Sequence, residues 1–243
     1  MRFAILLYGV LAYLAFLGAF LYLIGFVGDL WVPRSVDRGP EAPPARAVAG
    51  NVALLLAFAV QHTVMARPWF KQRWTRWIPP AAERSTFVLI ASGLLMLLYW
   101  QWRPLPGVVW EVEHPAVRAV LLALFASGWG IVLLSSFLID HFDLFGLRQV
   151  WLNWIGRAYT APDFKERSLY RVIRHPLMLG FLIAFWSAPV MTTGRLVLAG
   201  VFTGYILVAI RIEERDLLAM HGASYSEYRR RTTRLVPWPF RRG

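Results

Sequence analysis

The sequence predicts an all-α protein, a polytopic integral membrane helical bundle of five to six membrane helices whose last two form a short hairpin. Three observations carry that prediction. The chain is 58% hydrophobic and only 16% charged, against roughly 25% charged residues in soluble domains. Four apolar runs approach or exceed the roughly 20 residues that a helix needs to cross about 30 Å of hydrocarbon. Lys and Arg concentrate in alternate loops, the pattern that orients a polytopic chain.

The first run, Phe3–Gly28, is longer than the about 7–15 apolar residues of a secretory leader, and no small-residue cleavage site ends it. It reads as a retained helix. The connector 29–47 carries Pro40, Pro43 and Pro44 and reads as turns. Three further spans follow at Val48–Ala66, Thr86–Trp102 and Val117–Ile139. Segment 144–169 mixes Trp151, Trp154, Tyr159 and Phe164 with charge, as chain lying along a membrane interface does. Two shorter runs, Leu177–Met191 and Leu196–Ile210, are separated by Thr192-Thr193-Gly194-Arg195. They read as a tight helical hairpin, short enough to be tilted or shielded by protein. Glu213–Tyr228 continues as an amphipathic helix broken near Gly222, and Pro237 and Pro239 end regular structure. Arg241 and Arg242 suit an anionic leaflet. The expected organisation is a four-helix membrane region, 1–139, and a region 140–243 in which the interfacial segment, the hairpin and the last helix build a site on the cytoplasmic side.

The net charge of +12 is distributed between the apolar runs, which reads as topology control; nucleic acid is not an expected partner, and the lipid bilayer is. Loop 67–84 holds Arg67, Lys71, Arg73, Arg76 and Arg84, and loop 140–176 holds Arg148, Arg157, Lys165, Arg167, Arg171 and Arg174. The tail from Arg211 is equally basic, whereas 29–47, 103–117 and the hairpin turn are poor in Lys and Arg. By the positive-inside rule both termini face the cytoplasm. Glu111, Glu113 and His114 then fall outside. His62, Glu83, Asp140, His141, Asp143, Arg174, His175, Glu213 and Glu214 fall at the inner face, where one site can gather them. There are no cysteines, which excludes disulfides, thiolate nucleophiles, Cys-based zinc sites and iron–sulfur clusters.

Arg174-His175-Pro176 is the first candidate constellation. Proline at a first helical position needs no hydrogen-bonded N–H and has its φ preset, so Pro176 starts a helix with Arg174 and His175 just before it. A helix start favours an anion, and the Arg fork suits a carboxylate or phosphate. Gly180, one turn in, permits close approach to the backbone. Taken alone, the tripeptide reads equally as a positive-inside anchor. Glu213-Glu214 adds two carboxylates at the foot of a short apolar run. Adjacent helical residues point about 100° apart, so one carboxylate can meet a ligand while the other pairs with Arg174, Arg211 or Arg215. A solvated helix end is the plainer alternative. The second constellation is His62 with Asp140, His141 and Asp143. Ionisable groups at membrane depth carry a functional expectation by default, although groups at the boundary are also simply wet. Two His and two Asp suit a metal, but no ligand spacing such as HExxH occurs, and no metal is expected. Tyr225 and Tyr228, followed by Arg229–Arg231, read as a segment that closes over a cytoplasmic ligand or as an interfacial anchor.

Three runs resemble a known signature: Tyr170-Arg171-Val172-Ile173-Arg174-His175-Pro176-Leu177-Met178-Leu179-Gly180, then Glu213-Glu214-Arg215-Asp216-Leu217, then Gly222-Ala223-Ser224-Tyr225-Ser226-Glu227-Tyr228. This is similar to the C-terminal pattern of the isoprenylcysteine carboxyl methyltransferase superfamily, RHPxYxG, EExxL and GxxYxxY, with Met178 where that pattern has tyrosine. The resemblance covers about the last third of the chain. It implies S-adenosylmethionine binding by Tyr170, Arg174, His175, Pro176, Leu179, Gly180, Glu213, Glu214, Tyr225 and Tyr228. The earlier runs Gln61-His62-Thr63-Val64-Met65-Ala66-Arg67-Pro68, Glu83-Arg84-Ser85-Thr86 and Ser135–Gly146 are more specific. They resemble one branch, the membrane methanethiol S-methyltransferases related to NnrU-like proteins. That likeness implies a bacterial inner-membrane enzyme converting methanethiol to dimethyl sulfide.

The residues suit such chemistry. A small alkyl thiol at pH 7 is ionised to only about one part in a thousand, by the same logic as Cys. A base or a cationic neighbour must raise that fraction. His62 and His141 are suitable bases, and Asp140 or Asp143 can orient one of them. No enzyme nucleophile is needed. Methylation of another thiol or of a prenylcysteine carboxylate, a nicotinamide-dependent membrane reductase, and a non-catalytic NnrU-like accessory or transport protein remain alternatives on the sequence alone.

Overall fold

The computed structural model describes residues 1–161 and 168–236. Phe164, Lys165 and Arg167, the closing prolines Pro237 and Pro239, and Arg241 and Arg242 lie outside the described residues. The chain is predominantly α-helical, and five of its helices are long and apolar enough to cross a membrane. It is an integral membrane protein.

Four of the five spans begin and end close to the apolar runs: α1 Arg2–Gly28, α2 Pro44–Met65, α4 Pro80–Gln101 and α5 Pro115–Ile139. A short helix, α3 Pro68–Trp74, occupies the basic loop between α2 and α4. Hydropathy passed over it because Lys71 and Arg73 interrupt the apolar pattern, but Pro68 at its first position is the start signal. After α5 come α6 His141–Leu144 and α7 Leu147–Trp154, then a 3-10 turn at Ser168–Arg171.

The hairpin differs from expectation. Helix α8 is Pro176–Trp186, a strand β2 follows at Val190–Thr192, and α9 runs from Thr193 to Arg231. Pro189 explains the early stop of α8, because proline cannot donate in a helix and pushes the residue before it out of the α region. β2 pairs with β1, Val108–Glu111. Eleven residues rise only about 16 Å, half of a hydrocarbon core. The irregular Ser187-Ala188-Pro189 that continues from α8 is buried, as non-helical chain must be at membrane depth. Helix α9 has 39 residues, so the stretch Glu213–Tyr228 continues the second hairpin leg, as the sequence suggests. Its one break is Gly222, at φ 52° and ψ −118°, a left-handed position that glycine accepts most readily.

The chain forms two compact units. One comprises Met1–Val109, Asp140–Pro162 and Thr192–Leu198; the other comprises Trp110–Ile139, Asp163–Met191 and Ala199–Gly243. In the first, α1 packs on α4 and α7, and α4 also packs on α2. Helix α1 buries the small Gly9, Ala12 and Ala19 and turns Leu7, Leu11, Leu14 and Leu21 outward. Small residues inside and large apolar residues outside is the arrangement of a lipid-facing helix, whose partners approach through its small side chains. Tyr99 and Trp102 close the other end of this core, donating to the carbonyls of Ala19 and Val36 at 3.0 Å each. Asp37 accepts from Thr192 Oγ1 and from Arg195 Nε, both at 2.6 Å, and so ties the start of α9 to the connector after α1.

In the second unit α5 and α8 pack face to face. Gly128 and Gly180 meet backbone to backbone: a Cβ added at Gly180 would stand 2.7 Å from the Gly128 carbonyl oxygen. Trp129 packs edge-on against Phe181 and Phe185 beside that crossing.

Candidate functional site

In the second unit the start of α8 is the most highly connected polar region. Segment 172–175 lies against the chain that follows α9: Ile173 and Thr233 form a parallel bridge, Arg174 N donates to Thr233 O at 2.9 Å, and His175 N donates to Arg234 O at 3.2 Å. This clamp sets Arg174 and His175 immediately before Pro176, the first residue of α8.

Glu214 is the centre of the cluster. Its Oε1 accepts from Arg174 Nε at 2.8 Å and lies 3.3 Å from His175 Nε2, while Oε2 accepts from Arg234 Nη2 at 2.8 Å. The Glu214 and Arg174 side chains are 5% and 7% exposed. Arg174 Nη1 also donates to the carbonyls of Arg229 and Thr232. Arg174 and Glu214 therefore hold each other. Glu213 points elsewhere, 49% exposed, with Oε2 at 3.6 Å from His175 Nδ1. Burial lowers the pKa of His175 despite its hydrogen bond to Glu214, so the ring is neutral at pH 7. Tyr228 is buried and donates to Tyr170 O at 2.7 Å. Tyr225 is buried with its ring 5.8 Å from that of Tyr228. The kink at Gly222 precedes both tyrosines. Burial, with the charge of Glu213, raises the Tyr170 phenol well above its usual range. Pro176 and Gly180 are buried and Leu179 is half-buried.

The first unit holds the other set. His62, in the last turn of α2, stacks on Phe58 at 5.3 Å and packs on Phe87 at 4.8 Å. Phe87, Met65 and Val88 form a buried cluster with Phe16 and Phe145 against it. His141 packs on Phe145 at 4.8 Å and on Phe16 at 6.4 Å, so the two histidines border one aromatic cluster. Asp140 caps α6 by accepting from Asp143 N at 3.1 Å. Asp143 pairs with Arg148 at 3.1 Å and accepts from Tyr159 at 3.2 Å. Neither aspartate supplies the hydrogen bond expected of it to a histidine; Tyr13 of α1 does, with its hydroxyl 2.9 Å from His141 Nε2. His141 is 6% exposed. Burial lowers its pKa, opposed by the Asp140 charge, so a neutral imidazole stands there at pH 7. Glu111, Glu113 and His114 are exposed around the end of β1.

Three residues of these clusters escaped sequence reasoning. Tyr13 sits inside an apolar run, where hydropathy counts it as one more aromatic. Arg84 was counted as a topology charge and as part of the run Glu83-Arg84-Ser85-Thr86 without a role, whereas its guanidinium carbon lies 4.7 Å from the Phe87 ring centroid and its Nε donates to Leu144 O at 2.7 Å. Arg234 carries no motif; only its proximity to the end of α9 brings it to Glu214.

Comparison with known proteins completes the description. The chain is 57% identical over 240 residues, 99% of its length and 98% of the relative, to a methanethiol S-methyltransferase of Mycobacterium tuberculosis. It is 50% identical over 237 residues to methanethiol S-methyltransferase 1 of Bradyrhizobium diazoefficiens, covering 98% of this chain and 83% of that one. A more distant relative, nurim of Mus musculus, is 29% identical over 77% of this chain and 72% of its own. No family model matches the chain. No solved structure matches it.

Proposed function

The chain belongs to the methanethiol S-methyltransferase family, and from that premise we propose that it methylates methanethiol to dimethyl sulfide with S-adenosylmethionine as donor, in a bacterial inner membrane with both termini cytoplasmic. The donor is assigned to the start of α8 and its partners on α9: Arg174, His175, Pro176, Glu213, Glu214 and Tyr170, with Leu179, Gly180, Tyr225 and Tyr228 around them. The acceptor chemistry is assigned to His62, Asp140 and His141.

The residues around α8 suit this donor. It carries a carboxylate, an amino group, a sulfonium and hydroxyls. A helix start favours the anion. Glu213 is half-exposed beside Glu214, and a carboxylate there suits the amino group or a hydroxyl of the donor. When bound, S-adenosylmethionine supplies a methyl group on a positively charged sulfur.

The chain's own residues have three tasks. Arg174, Arg234 and His175 fix the Glu214 carboxylate, and through it the junction between α8 and the end of α9 is rigid where the donor is to be held. His141, neutral at pH 7 because it is buried, takes up the thiol proton. Tyr13 holds its ring in place through Nε2, and Asp140 shapes the turn beneath it by capping α6 and favours the imidazolium through its charge. Positioning the two reactants supplies much of the acceleration. Methanethiol is small and apolar and partitions into lipid, so a membrane enzyme collects it laterally.

The observation that carries this reading is the buried Arg174–Glu214 pair, with Arg234 and His175 on the same carboxylate at the start of α8, in a chain 57% identical to a methanethiol S-methyltransferase over nearly its whole length. The test supplies methanethiol to cells expressing the chain and measures headspace dimethyl sulfide. In parallel, purified protein is heated with S-adenosylmethionine or with a nicotinamide cofactor. Dimethyl sulfide and stabilisation by S-adenosylmethionine alone are the expected results. No product from membrane-inserted protein, or stabilisation by the nicotinamide instead, would overturn the assignment.

A further inference from the structure

Among the described residues, the arginines at positions 38, 148, 174, 195, 231 and 234 each meet a carboxylate within 4 Å. Arg84, in the first turns of α4, has no such partner among the described residues. Its Nε is engaged by the Leu144 carbonyl at 2.7 Å, which orients the fork, and its planar face lies over Phe87 at 4.7 Å. Glu83 and Asp143 act on it only at longer range, and Asp143 is committed to Arg148 and Tyr159. The terminal guanidinium nitrogens have no hydrogen-bond acceptor among the described residues.

The surroundings of this cation are apolar and aromatic. Phe87 carries Arg84 and His62 together, and Met65, Val88, Phe16 and Phe145 continue the same wall to His141. Gln61 donates from Nε2 to Met65 Sδ at 3.1 Å, and its Oε1 is buried without a hydrogen-bond partner among the described residues. A guanidinium kept against such a wall, with no carboxylate within 4 Å among the described residues, gains no close ion pair to offset its desolvation. An anion that arrives from outside the chain supplies the missing pair. Guanidinium is itself weakly hydrated, which matches it to a large, polarisable anion such as a thiolate.

Resting on the reading of the protein as a thiol methyltransferase, we propose that Arg84 is a catalytic residue that binds the acceptor in its thiolate form, with Phe87 and Met65 against the acceptor methyl group. The proton of the S–H bond goes to His141. The sulfur electron pair then forms a C–S bond to the donor methyl as the sulfonium C–S bond breaks, and that bonding pair stays on the leaving thioether. No oxidant or reductant is involved.

The experiment titrates methanethiol bound to donor-free protein, reading thiolate ultraviolet absorbance against pH, for wild type, Arg84→Met and Arg84→Lys. Ionisation in the wild type is expected about two pH units below that of free methanethiol, a roughly 100-fold gain in thiolate at pH 7. Arg84→Met should return the bound thiol to its solution behaviour, and Arg84→Lys should retain most of the shift. Methyl-transfer rates should follow: the Arg84→Met defect is largest at pH 7, shrinks as pH rises, and is small for a fluorinated thiol already ionised at neutrality. A wild type without the shift, or an Arg84→Met protein that retains it, overturns the proposal. If Arg84→Met does not assemble, Arg84→Lys decides, because a bound thiol titrating as in free solution there refutes the role of the charge. Absence of methyl transfer in a wild type that does show the shift would refute the enzymatic reading and leave the anion site standing.

Discussion

Replacing Gly180 by alanine asks whether the close crossing of α5 and α8 sets the geometry at the start of α8. The added Cβ would stand 2.7 Å from Gly128 O and 2.9 Å from both Val132 N and Val132 Cγ2. Even a favourable carbon–oxygen contact needs about 3.3 Å or more. The crossing must therefore open by about 0.6 Å, and the obstacle at its nearest point is backbone, which cannot rotate away. Overpacking of this kind costs about 1–3 kcal/mol. In a chain of this size that lowers the melting temperature by about 2–4 °C for each kcal/mol.

The functional consequence is larger than the loss of stability. Gly180 lies little more than one turn beyond Arg174 and His175. A shift of about 0.6 Å carried to the start of α8 stretches a 2.8 Å Arg174–Glu214 hydrogen bond to about 3.4 Å, beyond the usual range. Misplacement by about 1 Å can cost about 100-fold in rate. The expected phenotype is S-adenosylmethionine affinity weakened about tenfold by calorimetry, with turnover reduced about 10- to 100-fold. Gly130→Ala is the control on the partner helix, because a Cβ there meets nothing within 4 Å. Tryptophan fluorescence follows unfolding of both variants. If Gly180→Ala matches Gly130→Ala in melting temperature, donor affinity and turnover, the crossing does not set the site.

Two further outcomes are expected. Tyr13→Phe removes the hydroxyl 2.9 Å from His141 Nε2 while keeping the ring; turnover should fall about tenfold, a modest share of what a positioned base contributes, with donor affinity by calorimetry unchanged. Equal turnover in Tyr13→Phe and wild type would remove Tyr13 from the mechanism. The second outcome concerns acid stability. Burial lowers the folded-state pKa of His175, whereas an unfolded imidazole titrates near 6.5. The unfolded chain therefore binds more protons as pH falls through about 6.5, and the stability present above that pH is lost progressively toward the lower folded value. Melting temperatures measured from pH 7.5 to 5 should fall on the acid side, and His175→Gln should flatten that fall; an identical slope in the variant would refute the assignment.

Much of the architecture was legible because membrane spans announce themselves by length. The boundaries were less so. Helices α2, α4 and α5 begin at Pro44, Pro80 and Pro115, before hydropathy rises at Val48, Thr86 and Val117. Proline at the first helical position, not apolarity, marks the true start. The same rule placed the start of α8 correctly at Pro176 and would have found α3 at Pro68. Pro189 was the corresponding stop signal, and counting apolar residues through it made α8 too long. The strands β1 and β2 escaped because three or four residues carry no period that a membrane-length window resolves.

The chemistry was legible where residues adjoin in sequence and obscure where they meet only in space. Glu213-Glu214 divides its labour as a 100° step requires: Glu214 turns to Arg174 and Arg234 while Glu213 stays half-exposed. Arg234 and Tyr13 enter only through packing, and Arg84, although it lies in the run Glu83-Arg84-Ser85-Thr86, gains its role only from its contacts with Leu144 and Phe87. On the proposed reading their placement answers the two opposite demands of methyl transfer between sulfurs. The donor is positively charged at the reacting centre, and the cluster around α8 offers it a half-exposed carboxylate while its arginines are neutralised by Glu214 and by backbone carbonyls. The acceptor is useful only as an anion, and the wall around Phe87 carries a guanidinium that meets no carboxylate within 4 Å among the described residues, with the neutral His141 against the same aromatic cluster. On that reading the donor meets a carboxylate, Glu213, and the acceptor a guanidinium, Arg84. Exchanging those signs, by neutralising Glu213 or Arg84, should impair binding of different partners. That separation distinguishes two built sites from two patches of membrane-surface charge.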